Sequence, residues 1–294
     1  SNNGMEFPIN TDGQLLYYGF NKDVERYEKI MSNGARDLLT ISFGIALSPN
    51  LAGGISVSKM KGLENYDFEF LQKDIADNYQ QFPADFQSYE VFQSLKTKTE
   101  AWKLRGGVKY IYSPFQFGFS IALPYNVNVV ENHGTQERLI FDNADYSDTL
   151  EFGYYDYKVQ MPATMDLGIA FVTDLNLSFS IAYRLQDWSK MQFNLMDFSA
   201  QSEDYTIMSV ENDLIEQEYR LVSQLRVGVE GLIPFSKTFG ITVRSGMAFI
   251  PSAQQNDATE KQIASFGLGL PIQRRIIFDI AFIHSSRKKI SNDS

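Results

Sequence analysis

The chain has 294 residues, of which 44% are hydrophobic and 14% aromatic, with a formal net charge of −10 and no cysteine. The lack of cysteine excludes disulfides, thiolate metal sites and a cysteine nucleophile, and the negative charge argues against nucleic acid as a partner. No apolar run reaches the roughly 18 residues of a transmembrane helix. A transmembrane β-barrel stays compatible with this composition, because its lumen face and loops dilute the apolar signal.

Residues 1–36 form a mixed N-terminal segment. Its first ten residues lack a basic region followed by an apolar core, so they are not a signal peptide, and an exported protein would reach this form already trimmed. Residues 14–20 predict one strand, and the polar residues 21–35 predict a loop.

Regular alternation of apolar with small or polar residues begins at Asp37 and predicts a strand up to a turn at residues 48–50. The alternation resumes until about Phe68. Residues 70–98 are polar and aromatic and predict a large loop, with a short helix around residues 86–95.

The next strands alternate most clearly. A strand over residues 102–112 turns at Ser113-Pro114, and residues 115–129 predict the strongest single strand. After a polar loop at residues 131–151 comes a hairpin over residues 160–189, with a turn at Thr173-Asp174. Its strands exceed the five or six residues usual in soluble sheets and suit tilted strands that cross a membrane.

Two further strand pairs complete the pattern, over residues 221–249 and 264–282, with turns at residues 234–237 and 271–274. The acidic residues 194–213 and residues 251–262 predict loops. Turns within hairpins are short and connections between hairpins are long, which is typical of an outer-membrane barrel with periplasmic turns and extracellular loops. A soluble β-protein is the alternative.

Residues 37–294 contain about ten strands, and the direction of the last one indicates an incomplete barrel domain, because bacterial barrels have even strand numbers.

Several short motifs resemble the FadL/TodX family of outer-membrane transporters for hydrophobic compounds. In the hairpin they are Met161-Pro162, Leu167-Gly168-Ile169-Ala170, Thr173-Asp174 and Asp187-Trp188-Ser189. Later ones are Leu225-Arg226-Val227-Gly228-Val229-Glu230, Val243-Arg244-Ser245-Gly246, Phe266-Gly267-Leu268-Gly269 and Phe278-Asp279-Ile280-Ala281. Together they cover about residues 36–284.

The resemblance implies an all-β, transmembrane antiparallel β-barrel of fourteen strands when complete, plugged by an N-terminal hatch. It implies diffusion of hydrophobic small molecules, such as long-chain fatty acids or aromatic hydrocarbons, with lateral release through the barrel wall. The alternative is a barrel of the same family that acts as a scaffold or partner-binding subunit of a protein secretion complex. The family's Asn-Pro-Ala hatch segment is not recognisable in residues 1–36, so no hatch residue carries over.

Charged residues at the polar positions of the alternating strands are predicted to point into the lumen. They are Arg105, Asp166, Arg184, Arg226, Glu230, Arg244 and Asp279. Such residues form a solvated or salt-bridged interior network, or some of them bind a ligand carboxylate, which a guanidinium clamps through two hydrogen bonds.

Aromatic residues supply two further groups of candidates. Phe82, Phe86 and Phe92 lie in the predicted loop at residues 70–98 and capture an apolar ligand or simply pack the loop. Trp188, Tyr110 and Tyr112 are expected in the aromatic girdles of the membrane interfaces. Trp188 falls about 35 Å from the Thr173-Asp174 turn at roughly 3.3 Å per residue and a tilt near 40°.

No catalytic, metal or cofactor motif is recognisable, so the chain is not predicted to be an enzyme. A lipid-active enzyme would need a serine beside His284, and Ser285 points to the opposite face. The spacing of Asp142, Asp145, Asp148 and Glu151 matches no calcium loop. The expected partners are a hydrophobic small molecule and outer-membrane lipid or lipopolysaccharide, with secretion proteins under the alternative. The expected location is the outer membrane of a Gram-negative-type bacterium.

Overall fold

The computed structural model describes residues 6–11, 14–19, 24–79, 86–142, 146–235, 240–257, 259–272 and 276–288. Parts of the predicted turns, at residues 236–237 and 273–274, lie outside these ranges, as do Phe20, Phe82 and Asp145.

Strands make up most of the described chain. They are β1 Glu6–Thr11, β2 Gln14–Gly19, β3 Val24–Ser48, β4 Leu51–Asp74, β5 Phe86–Tyr112, β6 Phe115–Ala122, β7 Tyr125–Phe141, β8 Tyr146–Met161, β9 Thr164–Val172, β10 Leu177–Asp187, β11 Gln192–Phe193, β12 Leu221–Pro234, β13 Gly240–Pro251, β14 Glu260–Ile272 and β15 Ile276–Lys288. Helix α1 spans Glu203–Glu218, and 3₁₀ turns span Trp188–Lys190 and Leu195–Asp197. Within the described ranges, every helix is too short or too polar to cross a membrane.

The chain divides into two compact units. The first unit comprises residues 1–37, 61–99 and 129–156, and the second comprises residues 38–60, 100–128 and 157–294. The first unit therefore holds β1, β2 and the polar extensions of β3, β4, β5, β7 and β8. The second holds the strand segments in which the alternating pattern is strongest.

The second unit contains one antiparallel sheet in the order β3-β4-β5-β6-β9-β10-β12-β13-β14-β15. Its register keeps like faces together. Ile181 of β10, for example, lies opposite Ile169 of β9 and Val227 of β12. Because a slip of one residue would turn every side chain to the other face, this register gives the sheet one continuous apolar face and one polar face.

The apolar face of the sheet is exposed rather than buried. Ile41 is 74% and Phe282 69% exposed, and most large apolar side chains of these strands behave alike. Patches of this extent are rare on soluble proteins, whereas barrel strands place such a face against lipid. The predicted fold class, an all-β antiparallel sheet of the transmembrane barrel type, is confirmed.

Several predicted loops are strands instead. Residues 24–35 belong to β3, residues 86–98 to β5, and β7 and β8 occupy most of residues 131–151, so the loops and the short helix predicted there are wrong. These stretches extend β3 and β5 to 25 and 27 residues, far beyond the about 9–11 that cross hydrocarbon. Outside hydrocarbon no lipid-facing side needs apolar residues, so the period-two pattern that marks a half-buried strand is lost.

Two predicted strands are interrupted by proline. The strand predicted over residues 115–129 breaks at Leu123-Pro124 into β6 and β7, and β9 begins only after Pro162-Ala163. The two breaks are neighbours, because Ala122 pairs with Thr164. Proline has no N–H to donate to a ladder, so each break follows from its sequence.

Two other regions differ from the sequence expectation. The predicted strand at residues 14–20 exists as β2, but it pairs with β1 in a separate two-stranded sheet. The predicted irregular loop at residues 194–213 contains most of helix α1, which begins after Ser202. Its apolar residues are too sparse among acidic ones to give a clear helical pattern.

Candidate functional site

A charged cluster on the polar face of the sheet centres on Asp166. The register places Asp166 on β9 opposite Arg184 on β10 and Ser120 on β6. Arg184 donates two hydrogen bonds to the carboxylate, from Nε to Oδ1 at 2.6 Å and from Nη2 to Oδ2 at 3.2 Å. Ser120 Oγ donates to Oδ2 at 3.4 Å, and Arg105 Nη1 lies 3.6 Å from the same oxygen. Three residues predicted for the lumen face are therefore in one cluster.

A groove of about 590 Å³ lies along this cluster in the second unit. Its charged lining consists of four cationic side chains and one carboxylate, namely Arg105, Lys109, Arg184, Arg226 and Asp166. Gly118 also lines the groove, and a Cβ added there would meet no atom within 4 Å. The groove thus offers open space beside an excess of positive charge in an acidic protein.

A second charged cluster lies on β12, β13 and β15. Arg244 Nε donates to Glu230 Oε2 at 2.6 Å, and Nη1 donates to Asp279 Oδ1 at 2.5 Å. Gly269 makes room for this arrangement, since a Cβ there would lie 2.7 Å from Asp279 Oδ1. Arg226, by contrast, donates from Nη2 to Gln224 Oε1 at 3.1 Å. The ion pairs predicted as one possibility are therefore present on the polar face, whereas their position in a lumen and any ligand contact remain predictions.

A larger cavity of about 680 Å³ lies beside the Leu123-Pro124 break. The β5–β6 ladder ends at the pair Arg105–Ala122, with one further hydrogen bond from Leu123 N to Leu104 O at 3.0 Å. The cavity is lined by Val57, Glu100, Ala101, Trp102, Lys103, Leu104, Leu123, Pro124, Tyr125, Asn126, Asn128 and Gln160. Trp102 and Leu104 belong to the apolar face and Lys103 to the polar face, so residues of both faces line the cavity.

Cation–aromatic contacts surround this cavity. Lys59 Nζ lies 2.6 Å from Glu100 Oε1 and 5.1 Å from the ring centroid of Trp102. Lys103 Nζ lies 5.4 Å from the ring centroid of Tyr125. Both aromatic rings that line the cavity, Trp102 and Tyr125, therefore have a lysine ammonium within cation–π distance.

The first unit contains its own apolar cavity, of about 310 Å³. It is lined by Tyr27, Glu69, Phe70, Leu71, Glu90, Val91, Phe92, Gln136 and Arg138. Phe92 is thus on a cavity wall. Phe86 is only 1% exposed and packs edge-on against Tyr79, which matches the loop-packing alternative rather than ligand capture.

Tyr89 supports the wall of this cavity. Its ring packs edge-on against Phe70 at 6.2 Å between centroids. Burial, followed by the charge of the Glu137 carboxylate and a hydrogen bond to it, raises the pKa of Tyr89 to about 12. The phenol of Tyr89 therefore stays protonated to a higher pH than an exposed tyrosine would.

The remaining predicted residues lie apart from these cavities. Tyr110 and Tyr112 are exposed near the turn end of β5, and Trp188 begins the 3₁₀ turn after β10. The ring of His133 stacks on that of Tyr155 with 5.6 Å between the centroids. His284 on β15 lies opposite Ala264 on β14. In the part of the chain that the structure describes, the His, Asp and Glu side chains form no group of three that could hold a metal ion.

Sequence analysis missed several residues of these sites. Ser120 and Lys103 lie on predicted strands, and the cross-strand position of Ser120 follows once β6 is aligned with β9. Tyr27, Phe70 and Arg138 line the first-unit cavity from separate strands. Their convergence has no local sequence signal, because long-range register brings them together.

No protein-family model matches the chain, and a search of curated proteins finds no match. Among solved structures, the chain is similar to the crystal structure of the Ralstonia pickettii toluene transporter TbuX. The two are 14% identical, the similarity covers 94% of this chain and 75% of that chain, and the TM-score is 0.47.

Proposed function

We propose that the chain moves hydrophobic small molecules across the outer membrane of a Gram-negative-type bacterium and releases them sideways between its strands. The observation that carries the proposal is the cavity beside Leu123-Pro124, whose lining comes from both faces of the sheet. A molecule there would contact Lys103 on the polar face and Trp102 on the lipid-facing side. It would therefore reach lipid without crossing the full length of the sheet.

Capture is assigned to the first-unit cavity. Phe92, Phe70 and Val91 supply apolar contact area, and its volume of about 310 Å³ suits a small apolar group. Arg138 also lines it, but its guanidinium Nη2 lies 3.2 Å from Asp148 Oδ2. The charge of Arg138 is therefore compensated, and the aromatic and aliphatic side chains are left to contact the apolar part of a ligand.

The groove along the Asp166 cluster is assigned to a ligand's polar end. Its cations outnumber its carboxylate, and Arg226 makes its described hydrogen bond to a neutral amide. A carboxylate such as that of a fatty acid would accept charge-assisted hydrogen bonds from this wall. A neutral aromatic hydrocarbon would use the glycine-lined space alone.

The test restores the missing strand hydrogen bonds. The double variant P124V/P162V supplies two N–H donors and two residues that favour strands, which should close the cavity beside the break. Purified protein in liposomes should then import a fluorescent fatty-acid analogue about tenfold more slowly. Binding of the same analogue, measured by calorimetry in detergent, should change less than about twofold.

The matched control is P49V, since Pro49 lies in the turn between β3 and β4. It changes a proline outside the cavity and should leave uptake as in the unmodified protein. Heat-modifiable gel mobility verifies that each variant is folded. Normal uptake by folded P124V/P162V would rule out release at this break.

A further inference from the structure

We infer that helix α1 forms a docking surface for a cationic, amphipathic helical segment of a protein partner. The helix spans Glu203–Glu218 and belongs to the second unit, between β11 and β12. The inference rests on its anchoring, on one exposed apolar face and on its charge, and it is independent of transport.

One side of α1 is fixed to the protein. Ser202 Oγ accepts a hydrogen bond from Tyr205 N at 3.1 Å and caps the helix. Asn212 Oδ1 accepts from Phe193 N at 2.6 Å, and its Nδ2 donates to Phe193 O at 3.0 Å. Ile215 is buried on the same side. The helix is therefore already ordered, so a partner would bind without the entropic cost of folding it.

The opposite side carries an apolar stripe. Ile207, Val210 and Leu214 are 51%, 53% and 40% exposed. Their spacing of three and four residues puts them on one face at about 100° per residue. Tyr205, Met208, Asn212 and Ile215 lie on the other side, toward the fold. An i, i+3, i+7 set of apolar anchors is the spacing that one helix uses to pack against another.

The acidic residues around this stripe favour a positively charged partner. Helix α1 itself contains no lysine or arginine, and its acidic residues are Glu203, Asp204, Glu211, Asp213, Glu216 and Glu218. Of these, Glu216 forms an ion pair with Lys190 at 3.2 Å. At about 100° per residue, Glu211 and Glu218 lie within roughly 40° of Ile207, beside the stripe. The last turn has no basic residue, although negative charge there opposes the helix dipole. The two glutamates beside the stripe fit a partner that presents lysine or arginine beside apolar residues.

The same charge argues against other occupants. An anionic lipid headgroup or a fatty-acid carboxylate would be repelled by the glutamates that flank the stripe. A second copy of α1 would place acidic rows against acidic rows. The cationic amphipathic helix is the occupant that satisfies both the apolar residues and the charge.

The experiment uses the whole protein in lipid nanodiscs, with a designed helical peptide of leucine and lysine as the probe. A leucine–glutamate peptide and a lysine–serine peptide of equal length are the counter-probes. Fluorescence anisotropy against empty nanodiscs should show binding of the leucine–lysine peptide alone. The variant I207S/V210S/L214S should bind it about tenfold more weakly, and E211Q/E218Q should bind it several-fold more weakly at low salt.

The matched charge control is E216Q, because Glu216 lies about 180° from Ile207 and about 120° from Val210 on the helix, on the side where it contacts Lys190. It should bind the peptide like the unmodified protein. Equal binding of the leucine–lysine and leucine–glutamate peptides, or full binding by I207S/V210S/L214S, overturns the proposal. Since the chain has no cysteine, V210C accepts a single fluorophore. Quenching of that fluorophore by lipid-borne quenchers in the absence of peptide would show that lipid covers the stripe, which also overturns the proposal.

Discussion

The ion pair between Asp166 and Arg184 should contribute measurably to the stability of the sheet. Two charge-assisted hydrogen bonds join the side chains at 2.6 and 3.2 Å, and the side chains are only 23% and 26% exposed. Exposed ion pairs contribute about 0–1 kcal/mol, whereas breaking a buried pair costs about 3–5 kcal/mol. For a pair three-quarters buried, we expect a coupling free energy of about 2 kcal/mol.

A double-mutant cycle measures this coupling directly. The variants are D166N, R184Q and D166N/R184Q, and the measured quantity is the free energy of unfolding in detergent from reversible denaturant titrations. Removing either partner should cost about 2 kcal/mol, and removing the second should then cost little, because the pair is already broken. The control cycle uses Lys158 and Asp197, whose side chains are 39% and 46% exposed, and should give less than about 1 kcal/mol.

The cycle also tests the assignment of roles in the groove. If the coupling were below about 0.5 kcal/mol, Arg184 would not be held by Asp166 in solution. That result would refute the assignment of Arg184 to a structural ion pair and of Arg226 to contact with a ligand. A coupling near 2 kcal/mol leaves Arg226 as the first arginine to replace in a search for the carboxylate site.

Other predictions follow from single positions. G118F should fold, because the added side chain enters open space, but it should fill the groove and lower the affinity for a fatty acid, as calorimetry would show. F86A should destabilise the protein by about 3–5 kcal/mol, since the ring is 1% exposed, whereas F92S should leave stability unchanged and slow ligand capture in stopped-flow traces. Tyr89 should titrate near pH 12 in ultraviolet absorbance, a titration missing in Y89F. Because the folded protein keeps this proton longer than the unfolded chain does, stability should fall as pH rises from about 10 to 12 and be unaffected below.

The spanning part of the fold was predictable because lipid imposes a strict alternation on it. Strands such as β10, β12 and β13 must present an apolar residue at every second position, and each of them appeared in the sequence at nearly its observed bounds. The polar extensions of β3 and β5 were predicted to be loops, because no lipid contact constrains their residues. Pro124 and Pro162 each explain the break in their own strand, but sequence alone does not align the two strands, so the adjacency of the breaks was not predictable.

For the candidate site, the sequence predicted the face of the sheet on which each residue lies but not its interaction partner. The alternating pattern assigned Arg105, Asp166 and Arg184 to the polar face, and in the structure these three side chains form one cluster. The same pattern assigned Arg244 and Glu230 to that side without separating the two clusters. Separating them requires the strand order, which is a property of the whole sheet.

The paired prolines also determine how passage through the wall would respond to temperature. A gate made by breaking strand hydrogen bonds must overcome their energy at each opening. At Leu123-Pro124 and Pro162-Ala163 two of those donors do not exist, so there is no such bond to break at either proline. The release proposed at this point therefore needs no hydrogen bond to break at either proline. It should show the shallow temperature dependence of diffusion rather than the steep dependence of a gated step.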